Sequence, residues 1–334
     1  MVYLVTGGGG FIGSHLVEAL IQRGDMVRVL DNFSTGRREN LEEIVKRYSL
    51  IADRDYLWTR SAERLKDNKY RLTIIERDIR NLETCRKAME GVSYVLHQAA
   101  LPSVPRSISD PITTHEVNVN GTLNLLMCAK EVGVEKFIYA SSSSVYGDSP
   151  TLPKVETMIP RPLSPYAASK LMGEYYCGVF NHIWGISTIC LRYFNIYGPR
   201  QDPTSQYAAV IPRFITALLK GQPPTIYGDG EQSRDFTFIE DCIQGNLLAC
   251  KAAPMQDRIF NIACGKQITI NQLFKELAGL LKTELSPNYT APRPGDVRHS
   301  LADIHQAKTF LNYQPRFTIQ EGLQRTVMHY QPSS

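Results

Sequence analysis

No apolar run in this sequence approaches the ~18–20 residues that a membrane-spanning helix needs. Its first residues, "MVYLVTGG", already read as a buried strand entering a glycine loop, which leaves no space for a charged, cleavable targeting segment. The seven cysteines (Cys85, Cys128, Cys177, Cys190, Cys242, Cys250, Cys264) stand far apart, with no C-x-x-C. An odd, dispersed set reads as reduced, mostly buried thiols of a cytoplasmic protein and excludes a disulfide framework. Histidines are equally scattered, with no H-E-x-x-H and no Cys/His pair at ligand spacing, so no metal site is expected. An excess of either charge is lacking too: the net value is +4, and the densest basic spots, Gly36–Arg38 and Arg298–Ser300, are too short for a nucleic-acid stripe. Small anionic ligands remain open, because they need only a few cations.

What is present is ordinary for a soluble globular chain with a sizeable core: 43% hydrophobic and 21% charged over 334 residues. That length holds two modest domains or one large α/β unit with an appended lobe. Apolar, β-branched runs at 2–7, 26–32, 72–78, 94–100 and 136–142 alternate with helical patterns such as that of 11–24. Continuous hydrophobic strands separated by helices predict a parallel sheet covered on both faces. The charged segment 40–70 reads as a helical elaboration. After about residue 180 the rhythm changes: 187–195 continues the sheet, and short runs such as "TIYG" and "DFTFIED" alternate with turns. Helices are expected near 207–220, 270–282 and 319–330. The expected fold is α/β: a Rossmann-type doubly wound parallel sheet over 1–180, completed by segments near 187–195 and 234–264. A smaller α/β lobe over 181–334 is interleaved with it.

The first strand runs into "TGGGGFIG", in which Gly7, Gly10 and Gly13 are spaced G-x-x-G-x-x-G directly before an amphipathic helix. Glycines there permit a tight turn, admit a pyrophosphate to the backbone N–H groups and let helix and strand pack closely. The helix N-terminus presents unpaired N–H groups and a partial positive charge to the phosphates. Asp31 ends the second strand, where a carboxylate accepts hydrogen bonds from an adenosine ribose and disfavours a 2′-phosphate. The cofactor read from these residues is NAD in preference to NADP, with Arg37 and Arg38 nearby as the counter-argument.

Further along, "SPYAASK" carries Tyr166 and Lys170 at i, i+4, with Ser164 as a candidate N-cap and Pro165 at the first helical position. Hydride removal from a carbinol carbon requires a base for the hydroxyl proton. A tyrosine brought from near ~10 to neutrality needs roughly 4 kcal/mol of differential stabilisation. A neighbouring ammonium and a cationic nicotinamide ring are the sources available. A serine hydroxyl from the run "ASSSSVYG" (140–147), at a strand end, would place the substrate oxygen and relay its proton.

Thr6–Gly13 together with Tyr166-x-x-x-Lys170 resembles the extended short-chain dehydrogenase/reductase superfamily along nearly the whole chain, and "LRYFNIYGPR" (191–200), "YGDGEQSRDF" (227–236) and "RPGDVRHS" (293–300) resemble its nucleotide-sugar epimerase segments. The resemblance implies cofactor contacts from Gly7, Gly10, Phe11, Ile12, Gly13, Asp31, Asn32, Asp78, Ile79, Ala99, Tyr166, Lys170 and Tyr193. It implies contacts to a UDP-sugar from Ser103, Ser142, Ser143, Asn195, Gln201, Ala209, Val210, Tyr227 and Ser300. By the same likeness Arg234 and Arg293 would pair with the diphosphate and Asp296 would hold the ribose; bidentate arginines suit phosphate. Catalysis would fall to Ser142, Tyr166 and Lys170, with Ser143 as the alternative relay and Ser141 structural. A homodimer through helices near 112–132 and 166–184 is implied as well.

The residues before Val145-Tyr146-Gly147 bear on the reaction. Dehydratases of the superfamily place an Asp-Glu pair there and UDP-glucuronate decarboxylases a Glu, whereas this chain has Ser143-Ser144. Without an acid/base for elimination, a 4-keto sugar is most simply reduced again on its other face, which is 4-epimerisation. The segments 98–111 and 200–212 resemble the bacterial subgroup that favours N-acetylated sugars, and Pro102 departs from its glycine. A small Ser300 leaves room for an acetamido group, so UDP-N-acetylglucosamine is the first expectation. UDP-glucose, or a uronate met by Arg106 or Arg298, is the alternative. Dehydratase or decarboxylase action and a silent NAD sensor are the competing readings, and the latter fits poorly with an intact Tyr166–Lys170 pair.

Overall fold

The computed structural model describes residues 1–51, 53–54, 71–203, 209–253, 258–292 and 297–331. Strand β1 (Val2–Thr6) leads through the glycine loop into helix α1 (Phe11–Gln22) and returns as β2 (Met26–Asp31). Helix α2 (Arg38–Arg47), the two-residue β3 (Asp53–Arg54), β4 (Leu72–Glu76), α3 (Leu82–Met89) and β5 (Tyr94–His97) follow. The segment expected to be helical over 40–70 ends its helix at Arg47 instead. Ser49 takes φ +50° and Leu50 N–H returns to Val45 O at 2.9 Å, so the turn closes on a left-handed residue. The chain then joins the sheet edge at β3; residues 55–70 lie outside the described residues.

Short helices α4 (Val104–Ser109) and α5 (Pro111–His115) precede one π-helical turn (Glu116–Asn120) and α6 (Gly121–Val132). Strand β6 (Lys136–Ser142) and α7 (Pro165–Trp184) carry the residues singled out in the sequence. Ser164 caps α7 by accepting Ala167 N–H at 3.1 Å, Pro165 occupies the first position, and Gly185 at φ +70° stops the helix. Then come β7 (Thr188–Tyr193), β8 (Ile196–Tyr197), α8 (Val210–Leu219), β9 (Thr225–Tyr227), β10 (Ser233–Arg234), β11 (Thr237–Phe238) and α9 (Ile239–Lys251). The chain closes with β12 (Ile259–Ile262), β13 (Ile268–Thr269), α10 (Ile270–Leu281), β14 (Asn288–Thr290), α11 (His305–Leu311) and α12 (Ile319–Tyr330).

Eight strands form one sheet in the order β12-β7-β6-β5-β1-β2-β4-β3, with every neighbouring pair parallel. Their apolar runs are continuous because helices cover both faces: Leu4, Val29, Val95, Phe137, Ile138 and Leu191 are fully buried. From β1 the chain winds outward through β2 and β4, then crosses back to β5 and winds the other way. A crevice therefore opens beyond the C-terminal ends of β1 and β5, where such sheets receive ligands. The later residues are shared between sheet and lobe. β12 returns to the sheet edge beside β7, and α9 packs on α1. The pairs β8–β11, β9–β14 and β10–β13 build the smaller lobe with α8 and α10.

Candidate active site

The glycine loop closes on itself. Gly7, at φ +69°, donates to Leu30 O at 2.9 Å, and Gly10 N–H turns back to Gly7 O at 3.0 Å. A side chain at Gly13 would overlap Gly7 O, so α1 starts in direct contact with the loop. No side chain caps α1, whose first N–H groups are left for an anion. Asp31 is buried at the end of β2; its Oδ2 accepts Gly9 N–H and its Oδ1 accepts Phe33 N–H, both at 2.8 Å. Each oxygen retains a lone pair for a ribose hydroxyl. Burial pushes this carboxyl above its usual range, against those two hydrogen bonds. Arg37 is paired with Asp202 at 3.3 Å, while Arg38 pairs with Glu76 and stacks 4.6 Å from the Phe33 ring centroid. The two arginines that argued for a 2′-phosphate are thus engaged with carboxylates.

These groups face one cleft of about 710 Å³, a size typical of ligand sites. All the residues expected to contact the cofactor line it, from Gly7, Gly10, Phe11, Ile12 and Gly13 through Asp31, Asn32, Asp78 and Ile79 to Ala99, Tyr166, Lys170 and Tyr193. The uncapped helix start, the glycine cradle and the ribose-side carboxylate together fit a dinucleotide. Beneath the wall, Thr122 Oγ1 donates to Asn118 O at 2.6 Å, so His97 Nε2 donates to Thr122 at 2.8 Å and Nδ1 accepts from Thr6 at 2.7 Å. Complete burial lowers His97 to about 3 and keeps it neutral in this chain of bonds, which fixes the strand end carrying Ala99.

At the other end of the cleft, α7 brings Tyr166 and Lys170 against β6. Lys170 Nζ donates to Ala140 O at 2.8 Å and sits 5.9 Å from the Tyr166 ring centroid. Burial pushes the ammonium down to about 8. The same burial pushes the Tyr166 phenol up, opposed by a hydrogen bond from Ser142. The Lys170 ammonium alone therefore does not bring the phenol down; the expectation joins it to a cationic nicotinamide ring. Among the described residues no carboxylate stands beside the desolvated ammonium, and further positive charge at the cleft has to supply the difference. Ser142 Oγ accepts Ser144 N–H at 3.2 Å and faces Ser144 Oγ at 2.9 Å, which leaves its proton for Tyr166. Ser141 is buried and bonded to Glu174 at 2.5 Å.

Of the residues expected at the sugar and diphosphate, Ser103, Gln201 and Ala209 line the cleft, together with Pro102 and Arg106. Ser142 reaches Tyr166, whereas Ser143, Asn195, Val210, Tyr227, Arg234 and Ser300 do not line this cleft. Asn195, at φ +40°, spends its amide on Asp235 O at 3.0 Å. Arg234 has many donors to satisfy and gives two bonds to Ser233 O and Arg298 O, at 2.9 and 3.1 Å, beside a second cavity. Tyr227 lies under the Arg213 guanidinium, Val210 begins α8, and Ser300 is tied by its N–H to Ser233 O at 3.0 Å. Arg298 pairs with Asp229 at 2.9 Å away from the cleft. Arg293 and Asp296 lie outside the described residues.

Asn118 was not singled out in the sequence. It sits in the π-helical turn, its Oδ1 accepting Leu101 N–H at 2.7 Å and its Nδ2 donating to Ser169 Oγ at 3.0 Å. It thereby ties the cleft wall to the residue beside Lys170; such turns often mark functional sites. The helix expected over 112–132 is broken there to aim it.

Comparison with known proteins agrees with this geometry. The profile of the NAD dependent epimerase/dehydratase family matches residues 3–263. A putative UDP-glucose 4-epimerase of Methanocaldococcus jannaschii is 36% identical over 97% of this chain and 96% of its own length. A UDP-glucuronate 4-epimerase of Thermodesulfobacterium geofontis is 36% identical over 97% and 94%. Among solved structures, the UDP-N-acetylglucosamine 4-epimerase of Methanobrevibacter ruminantium, in complex with UDP-N-acetylmuramic acid, is 38% identical. It superposes with a TM-score of 0.87 over 98% of this chain and 97% of that one.

Proposed function

The chain belongs to the NAD-dependent epimerase/dehydratase family, and from that premise we propose that it is a UDP-hexose 4-epimerase acting on UDP-N-acetylglucosamine and its galacto epimer. One observation carries the choice of reaction. Ser143 and Ser144 stand where an eliminating enzyme needs an acid, and the carboxylates on the cleft wall lie elsewhere among the described residues. Asp31 ends β2, Asp78 is held by Asn32 and Arg80, and Asp202 is paired with Arg37.

The glycine loop, the uncapped start of α1 and Asp31 would hold NAD, which would supply a hydride acceptor and donor at C4 of the sugar. Tyr166 removes the 4-hydroxyl proton and gives it back, with Ser142 as its relay. Lys170 holds positive charge beside the phenol. By the family likeness Arg293 and Arg234, the latter from beside the second cavity, would bind the diphosphate and Asp296 the ribose, so the nucleotide stays clamped while the sugar turns over. Ser103, Gln201 and Ala209 form substrate contacts from the cleft wall, and the family likeness adds Ser143, Asn195, Val210, Tyr227 and Ser300, which stand outside that wall. The active form is a homodimer. Met172, Tyr175, Val179 and Ile183 make an exposed apolar stripe along α7, beside Ile112 of α5.

The test needs no added NAD. The protein is incubated separately with UDP-N-acetylglucosamine, UDP-glucose and UDP-glucuronate, and the C4 proton is followed by NMR. Inversion of the first is expected; loss of water or CO2, or no inversion of any, refutes the assignment.

A further inference from the structure

The catalytic ends of β6 and α7 are joined by bonds that run down both elements in step. Tyr139 Oη donates to Lys170 O at 3.4 Å, Lys170 Nζ donates to Ala140 O at 2.8 Å, and Ser141 Oγ donates to Glu174 Oε1 at 2.5 Å. Ser142, next on the strand, reaches Tyr166. Glu174 lies one helical turn beyond Lys170, as Lys170 does beyond Tyr166, so the three share one face of α7. That face can approach β6 because residue 173 is glycine; a methyl group there would overlap the Tyr139 phenol.

Glu174 is held in turn by Arg192 of β7, the strand partner of Ser141. Nε donates to Oε1 at 2.8 Å and Nη2 to Oε2 at 2.7 Å, with side-chain exposures of only 2% for Arg192 and 1% for Glu174. The guanidinium stacks 4.6 Å from the Tyr146 ring centroid. A buried ion pair is a poor device for stability alone, because apolar side chains fill such a space as well. Its geometry is directional, however. The guanidinium only donates and the carboxylate only accepts, so the fork fixes Oε1 where a single Ser141 rotamer can reach it.

We propose that Glu174 and Arg192 are positioning residues for the epimerase reaction: their buried pair pins Ser141 to α7 and so sets the approach of the Ser142 hydroxyl to the Tyr166 phenol. The proposal rests on the assignment of Ser142, Tyr166 and Lys170 given above. It separates Ser141 from its neighbours in the serine run: Ser141 anchors the strand end and Ser142 works from it.

Two variants of the nucleotide-bound protein test this. Ser141→Ala cuts the tie and leaves the ion pair whole. Glu174→Gln keeps the volume and an acceptor but breaks the fork. Each is assayed for steady-state epimerisation, for bound nucleotide, for melting temperature and for single-turnover reduction of the bound nicotinamide on mixing with UDP-sugar. Misplacement of reacting groups should lower kcat and the single-turnover rate together, about 10-fold in Ser141→Ala and up to about 100-fold in Glu174→Gln, with KM and nucleotide content within about 2-fold. If Glu174→Gln does not fold, Ser141→Ala decides alone. Unchanged kcat in the folded variants overturns the proposal, as does a loss of kcat matched by equal loss of bound nucleotide and folded protein. A wild type inert toward every UDP-sugar overturns both this proposal and the reading beneath it.

Discussion

Replacing Lys170 with methionine removes a buried cation whose effect on stability and on catalysis can be read separately. Lys170 is 4% exposed, its ammonium donates to Ala140 O and lies over the Tyr139 ring, and burial displaces it from 10.5 to about 8. Below about pH 8 the folded chain carries this proton at full cost. Between about 8 and 10.5 the folded state releases it while the unfolded chain still holds it, so stability rises with pH across that window. At about 1.4 kcal/mol per unit, the displacement amounts to about 3 kcal/mol. Lys170→Met has no such contribution. Tyrosine and cysteine titrations away from Lys170 are common to both proteins and cancel in the difference. Urea unfolding of nucleotide-stripped protein at several pH values should therefore show the wild type gaining about 3 kcal/mol on the variant between neutral pH and about 10.5. Parallel curves would refute the placement of an unpaired ammonium at this site. Catalysis should move the opposite way: kcat of the variant is low throughout, and wild-type kcat falls toward it as the ammonium is lost.

The other predictions are simpler. Tyr166→Phe keeps the ring and the helix start but removes the proposed base, so turnover should fall by about 10²–10⁴ while nucleotide stays bound, and activity within tenfold of wild type would sink the mechanism. Gly13→Ala forces a methyl against the Gly7 carbonyl, which belongs to the backbone and has little freedom to yield; purified protein should lack bound nucleotide, read from its absorbance after denaturation. Ile183→Glu puts a charge into the exposed stripe of α7 and should shift sedimentation from dimer to monomer without unfolding the subunit, since Ile183 is 59% exposed in the single chain.

The parts of this protein legible in its sequence are those set by local rules. Buried parallel strands must be apolar along their whole length, so β1, β2, β4, β5 and β6 stand out within three residues of their ends. Gly7, Gly10 and Gly13 announce a tight loop because other residues collide there, and Ser164-Pro165 marks the start of α7. What stayed hidden depends on partners distant in sequence. Glu174 reads as a solvated helix position; it is buried only because Arg192 arrives from β7. Arg192 did carry a signal, since a charge inside a strand covered on both faces must find a counter-charge. Asn118 gave none, because a helix that widens by one residue keeps its apolar spacing nearly intact. Arg234 and Asn195 were found as residue types, but the direction of a side chain on a two-residue strand or in a positive-φ turn is set by the lobe around it.

The choice of sugar is a narrower problem than the choice of reaction. Relatives named for UDP-glucose, UDP-glucuronate and UDP-N-acetylglucosamine are almost equally similar to this chain, so whole-chain likeness carries little information about the hexose. The determinant has to be a few side chains on the cleft wall. For a uronate, a cation must meet the carboxylate. Arg106 is on the wall, Arg298 is committed to Asp229, and Arg200, although on the wall, is bound to Glu18 at 2.5 Å. For an acetamido group the requirement is space together with partners for its N–H and carbonyl, and Ser103 and Ala209 on the cleft wall are small, Ser103 with a hydroxyl. Room for a larger substituent discriminates weakly against a smaller sugar, by about 1–3 kcal/mol. UDP-glucose should therefore turn over as well, at a kcat/KM lower by about 10–200-fold, whereas Arg106→Leu should leave the N-acetylated substrate untouched and abolish any residual uronate activity.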